Sequence, residues 1–199
     1  TATRTVGLLG AIFQFALNRG VIEINPVRGV KRFPDNKCTR FLSSKELGNL
    51  GKALAEAEEN GSQNPVGIAA IRFMALTGCR KGEAIKLQWD WIDFEQSVVY
   101  YPDSKTGAKV MLLGAPALDL LSKLPRLDGS PFVFPASRGD GYLMSLQDIW
   151  ENIRSAAHLD DVRLHDLRHS YASVGAAGGD SLLVIGKLLG HQNPSHLEL

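Results

Sequence analysis

Along most of the chain, apolar residues recur every three or four positions. In a short middle stretch they alternate every two. Residues 3–19, "TRTVGLLGAIFQFALNR", set Val6, Leu9, Phe13, Ala16 and Leu17 at helical spacing, and Gly20 can close the helix they predict. "NPVRGVKRFP" follows, with Pro26 and Pro34 interrupting regular structure. A lone helix cannot bury its own apolar face, so this one is expected to belong to an N-terminal domain lying mostly outside the chain. A second unit opens at "FLSSKELGNL". There Ser43 and Glu46 have the spacing of a capping box, in which the Glu reaches back to the cap amide, and a helix to about Asn60 is expected. Further helices are predicted from Pro65 to Leu76 and from Arg80 to Leu87. "WIDF", "SVVYY" and "AKVMLL" are β-rich segments divided by Asp, Ser and Gly turns, and "FVF" is expected to add one more short strand. Helices resume near Ala115 and dominate from about Ser145. The expected fold is mainly α with a small antiparallel β-sheet, an α+β arrangement without internal repeats.

Composition narrows the class. The 199 residues are 44% hydrophobic and 22% charged, ordinary for a globular chain able to bury a core. No apolar run approaches the roughly 20 residues of a membrane span, and "TATRTVGLLG" lacks both the layout of a signal peptide and an initiating Met. The chain therefore reads as an excised piece. Cys38 and Cys79 form no metal-like spacing and fit a reducing, cytoplasmic setting. Net charge is +1, which by itself says nothing about nucleic acid. Its distribution says more. Residues 1–40 carry seven Lys/Arg against Glu23 and Asp35, a net of +5, which leaves −4 for the remainder. Arg28, Lys31, Arg32, Lys37 and Arg40 crowd "RGVKRFPDNKCTR", the kind of basic stretch that contacts a phosphate backbone. The plainer reading of that stretch is a solvated linker.

Four separate pieces bear on chemistry. In "TGCRKGEAIKL" a Thr-Gly turn delivers Arg80 to a helix start, and Glu83, three residues on, shares its face and can hold the guanidinium. Alone, this would be a surface ion pair. In "PDSKTGAKVML", Lys105 sits in a turn between two β segments, where a lysine is usually just solvated. In "RLHDLRHSYAS", His165, Arg168 and His169 fall at i, i+3 and i+4 on one helix face, a cationic cluster that needs an anion or burial with partners. His169 can equally be a core histidine, and Asp166 a first-turn helix acid. In "LLGHQNP", Gly190 ends a helix and His191 follows on a turn, which alone is an exposed loop histidine.

In this order the four pieces resemble the catalytic domain of the tyrosine recombinases, or phage-type integrases. The resemblance runs from about Phe41 to the last residue, and "TGCRKGEAIKLQWDWID", "SKTGAKVMLL", "LHDLRHSYAS" and "KLLGH" carry it most specifically. It implies three parts: residues 1–32, the last helix of a core-binding domain with the start of a basic linker; 33–40, the interdomain linker; and 41–199, the catalytic domain. It also implies an enzyme that breaks and rejoins DNA strands through a 3′-phosphotyrosyl link, with no nucleotide, metal or other cofactor. Side-chain cations must then neutralise a crowded phosphorane. Arg80 and Arg168 would do so, because a guanidinium is planar, always charged and grips two oxygens. His165 would assist proton movement at the nucleophile, His191 would hydrogen-bond a non-bridging oxygen, and Lys105 would protonate the departing 5′ oxygen. Glu83 and His169 would support the site, and Arg28, Lys31, Arg32, Lys37 and Arg40 would contact DNA.

The family's nucleophile is a Tyr about nine residues after the Gly-His histidine, and the chain ends eight residues after His191. The nucleophile is thus expected just after Leu199. Tyr100, Tyr101, Tyr142 and Tyr171 are not expected to replace it, so the piece as given should bind DNA weakly, remain monomeric and cleave nothing. The resemblance implies that the full-length parent, bacterial or phage-encoded, acts as a homotetramer on double-stranded attachment sites in site-specific recombination or DNA integration, through a Holliday junction. Two rivals are a DNA-binding regulator derived from an integrase, with no chemistry of its own, and a type IB topoisomerase-like enzyme. The first has no need to keep two arginines, a lysine and two histidines together.

Overall fold

The computed structural model describes residues 2–31, 40–103 and 107–178. The chain divides into two compact units, Thr1–Cys38 and Thr39–Leu199. The first contains α1, Ala2–Asn18, which has no fully buried residue. Val6, Phe13, Ala16 and Leu17 are half-buried, whereas Leu8, Ile12 and Phe15 form an exposed stripe on another face. Gly20 leaves the helix at φ 69°, a left-handed value that glycine adopts without strain. The segment after it is hooked onto α1 by Asn25. Its Nδ2 donates to the Gly10 carbonyl at 3.1 Å, and its Oδ1 accepts from the Val27 amide at 3.1 Å.

The second unit begins with α2, Ser44–Glu59. The capping box forms as its spacing predicts: Ser43 Oγ accepts from the Glu46 amide, and the Glu46 carboxylate accepts from the Ser43 amide at 2.8 Å. Next comes α3, Pro65–Thr77, with Asn64 as cap and Pro at its first position. Ile68, Ala69, Ala70, Ile71, Phe73 and Met74 are all buried. A helix apolar on most sides lies inside, and α3 packs against α2 and against three later helices, α5 (Ala115–Lys123), α6 (Gln147–Ala156) and α7 (Asp166–Ala177), leaving Arg72 to pair with Glu58. The approach of α6 is close enough that a β-carbon at Gly67 would collide with Ile149 Cδ1.

After the short helix α4, Lys81–Ile85, a 3₁₀ turn at Trp89–Trp91 leads into the sheet. β1 (Ile92–Asp93), β2 (Val98–Tyr101) and β3 (Lys109–Leu112) pair antiparallel in that order, with Val99 opposite Ile92 and Met111, and Tyr101 opposite Lys109. "FVF" is not a strand. The Val133 amide donates to the Leu87 carbonyl, and Gln88 and Phe132 make an isolated bridge, because one pair of rungs is all that the turn at Trp89–Trp91 leaves in register. α5 (Ala115–Lys123), α6 (Gln147–Ala156) and α7 (Asp166–Ala177) complete the described elements. The core runs from Leu42 to Leu167, wholly within the second unit. Among the described residues, no helix is long and apolar enough to cross a membrane.

Candidate active site

The site is built on the turn between α3 and α4. Thr77 ends α3 with its Oγ1 donating to the Phe73 carbonyl at 2.7 Å and accepting from the Cys79 amide at 3.3 Å. Gly78 then takes φ 63°, which reverses the chain and makes Arg80 the cap residue of α4. Glu83 reaches back to that residue twice. Its Oε2 accepts from the Arg80 backbone amide and its Oε1 from Arg80 Nη1, each at 2.9 Å. The expected ion pair is therefore real, but it is no surface pair. The Glu83 side chain is 7% exposed and that of Arg80 is 24% exposed.

A third partner escaped the sequence reading. Lys109 Nζ, at the start of β3, donates to Glu83 Oε2 at 2.8 Å and lies 5.1 Å from the centre of the Tyr101 ring. Its side chain is as buried as that of Glu83. The available signal was the alternation of "AKVMLL", which puts Lys109 and Met111 on one face of β3, with Met111 in the core. Burial opposes ionisation of Glu83, but the hydrogen bonds from Lys109 and from the Arg80 amide outweigh it and hold the carboxyl below its usual range. Burial lowers the proton affinity of Lys109, and Glu83 only partly restores it.

α7 supplies the opposite wall. Its cap is His165, and its first-turn acid Asp166 is fully buried, accepting from the Arg163 amide at 2.8 Å and from the Arg163 guanidinium at 2.7 Å. Burial opposes the charge of Asp166, but these bonds keep its carboxyl below the usual value. The bonds fix the start of α7, so Arg168, one turn on, points inward. Arg168 is 5% exposed, and its Nη1 donates to the Gly78 carbonyl at 2.7 Å. Residues ninety positions apart in the chain thus meet at one turn. Burial first, then the charge of Arg80, lowers the Arg168 pKa to about 10, so it remains a cation at neutral pH. Among the described residues, Arg80, Arg168 and Lys109 gather about the Glu83 carboxylate, a clustering of cations that suits an anion.

His165 is exposed at the rim, and its ring meets that of His169 edge-on at 5.1 Å between centres. His169 is half-buried and also packs against Phe41, at 6.4 Å. Partial desolvation of the ring where it packs on the α7 face, then the charges of His169 and Arg168, push His165 below its ordinary value, so it is neutral at pH 7. Beneath the turn, Cys79 is a buried free thiol whose pKa burial raises to about 12, which leaves it unreactive.

Arg80, Glu83, Arg168, His165 and His169 therefore lie on two adjoining elements. Lys105 and His191 lie outside the described residues, as do Arg32 and Lys37. Arg28 and Lys31 are exposed in the first unit. Arg40, expected among the DNA contacts, has its guanidinium committed inside the second unit, to Asp161 at 2.7 Å and to Glu46. Both are surface pairs, with the Arg40 side chain 29% and that of Asp161 66% exposed. Of the tyrosines, Tyr101 is buried and Tyr100 donates to Gln96 Oε1 at 2.9 Å. Among the described residues, no three His, Cys, Asp or Glu cluster as a metal site would require.

Comparison with known proteins gives this constellation its context. The chain is 24% identical to tyrosine recombinase XerC of Pediococcus pentosaceus over 99% of its own length and 69% of the relative's. It is 26% identical to a shufflon-specific DNA recombinase of Escherichia coli, covering 100% of this chain but only 50% of that protein, so the chain spans about half of that relative. Its fold matches a lambda integrase dimer bound to a COC′ core site with a TM-score of 0.72 and 21% identity, over 100% of this chain and 74% of that one. At that identity the likeness is one of fold. The model of the phage integrase family covers residues 40–199, taking in both walls of the site, and the chain belongs to that family.

Proposed function

We propose that residues 41–199 are the catalytic domain of a site-specific tyrosine recombinase acting on double-stranded DNA. Residues 1–32 would be the end of a core-binding domain with the start of a basic linker, and 33–40 the interdomain linker. The observation that carries this reading is the convergence of two guanidiniums on the Thr77–Arg80 turn: Arg80 caps α4 there, and the buried Arg168 donates to the Gly78 carbonyl, so that two positive charges meet. A phosphodiester placed there would take up that charge through planar, two-pronged hydrogen bonds.

The proposed chemistry combines these groups with Lys105, His191 and a nucleophile expected after Leu199. A tyrosine hydroxyl attacks phosphorus and forms a 3′-phosphotyrosyl bond while the bond to the 5′ oxygen breaks. Arg80 and Arg168 stabilise the charge that builds on the non-bridging oxygens, where fixed donors are worth most. His165, neutral at pH 7, accepts the phenolic proton. Lys105 donates a proton to the departing 5′ oxygen, and His191 binds a non-bridging oxygen. The nucleophile would follow Leu199 in the full-length protein, which would assemble as a homotetramer on its sites. Arg28, Lys31, Arg32 and Lys37 would contact the backbone of the duplex.

The test uses the full-length protein, without metal, on nicked duplexes from a pool selected for binding. A covalent protein–DNA band on a denaturing gel is expected. It should disappear in Arg168→Ala while most DNA binding persists. Undiminished covalent complex in that variant would defeat the site assignment, and binding without any band in the parent would move the weight to a regulator without chemistry.

A further inference from the structure

We infer that Lys109 is a positioning residue for Arg80: its ammonium holds one oxygen of the Glu83 carboxylate, so that the outer face of the Arg80 guanidinium stays free for the phosphate. The inference rests on the proposed site.

Glu83 has two oxygens and three donors. Oε1 takes Arg80 Nη1, while Oε2 is shared between the Arg80 amide and Lys109 Nζ. Without Lys109, Oε2 would retain one neutral donor inside a buried pocket, a poor environment for half a negative charge. The nearest remaining cation is Arg80, and a carboxylate offered a guanidinium pairs with it through two parallel bonds. Glu83 would then occupy both prongs of Arg80 and cancel its charge. Lys109 prevents this by drawing Oε2 away.

The lysine is itself held in place. It stands opposite Tyr101 in the β2–β3 pairing and over the Tyr101 ring, a contact that fixes an ammonium without a hydrogen bond. Groups from four elements face it: Glu83 of α4, Arg168 of α7, Tyr101 of β2 and Cys79 of the turn. Glu83 holds its proton; burial and Arg168 release it.

The experiment measures single-turnover covalent complex formation by the full-length protein between pH 6 and 10, with DNA affinity followed in parallel. Lys109→Met should slow cleavage by about 10²-fold, the scale of losing one fixed charge-stabilising group, at nearly unchanged affinity. Glu83→Gln combined with Lys109→Met should recover to within about tenfold of wild type, because no carboxylate remains to capture Arg80. In the wild type, loss of the Lys109 proton should add to the alkaline fall in cleavage that Lys105 and Arg168 also bring, and Lys109→Arg should remove that contribution while keeping the neutral-pH rate. Full activity of Lys109→Met overturns the inference, as does a double variant no faster than the single one. If Lys109→Met does not fold, Lys109→Gln, alone and combined with Glu83→Gln, is judged by the same two criteria of rate and recovery. Arg168→Ala is the control. Cleavage surviving in Arg168→Ala would sink the site reading itself, whereas its loss beside an active Lys109→Met would sink only the role of Lys109.

Discussion

At the scale of single residues, the protonation of His165 follows from its neighbours. It caps α7, lies edge-on to His169, and is near the fixed charge of Arg168. Partial desolvation and these charges favour the neutral ring, so its folded-state pKa lies below the ordinary 6.5. The unfolded chain then binds the proton more tightly, and stability falls as pH drops below 6.5, levelling off beneath the folded pKa. NMR titration of the imidazole carbon-bound protons should place the His165 midpoint below 6.5, and His165→Gln should flatten stability across that window. A midpoint at or above 6.5 would contradict the description. The spacing of His165, Arg168 and His169 was legible in the sequence, but their different depths were not. Three residues that share a helix face differ in burial because Phe41 and the Gly78 carbonyl cover only part of it.

At the scale of elements, the entry into α2 ties together more than the capping pattern promised. Glu46 closes the capping box and also binds Arg40, which in turn holds Asp161 from the loop before α7. The Leu42 amide donates to Ser170 Oγ at 2.9 Å, adding a direct link to α7. Arg40 and the Ser43 amide together hold the Glu46 carboxyl down to about 2. The stability this confers is complete above the unfolded pKa of 4.5 and is lost as pH falls toward 2. Glu46→Gln should therefore reduce the acid dependence between pH 4.5 and 2 in urea titrations, leaving the share of Glu83 and Asp166, and Ser43→Ala should cost about 1 kcal/mol at neutral pH. An acid limb unchanged in Glu46→Gln would assign it to other carboxylates. The capping box could be read from four adjacent residues. The Arg40–Asp161 contact spans 121 positions and could not.

On the scale of the molecule, charge is divided between the units. The first holds the exposed Arg28 and Lys31, whereas the core and the candidate site belong to the second. If Arg28 and Lys31 each neutralise a phosphate, replacing both by Ala in the full-length protein should weaken binding equally for all sequences. The slope of log affinity against log salt should fall by about two. Sequence-dependent weakening at constant slope would mean base contacts instead.

The sequence by itself determined the helices, the hairpin strands, the α2 cap and the four motifs, because periodicity, capping and turn chemistry act over a few residues. It also carried the family. The tertiary structure decided how two of those motifs combine: that Arg168 donates to the turn bearing Arg80, that Glu83 is buried and shared, and that Lys109 completes its partners. Each of these depends on which groups lose water together. Desolvation is a property of the packed chain: spacing along the sequence can mark a face, as the alternation of "AKVMLL" does for Lys109, without saying what covers it.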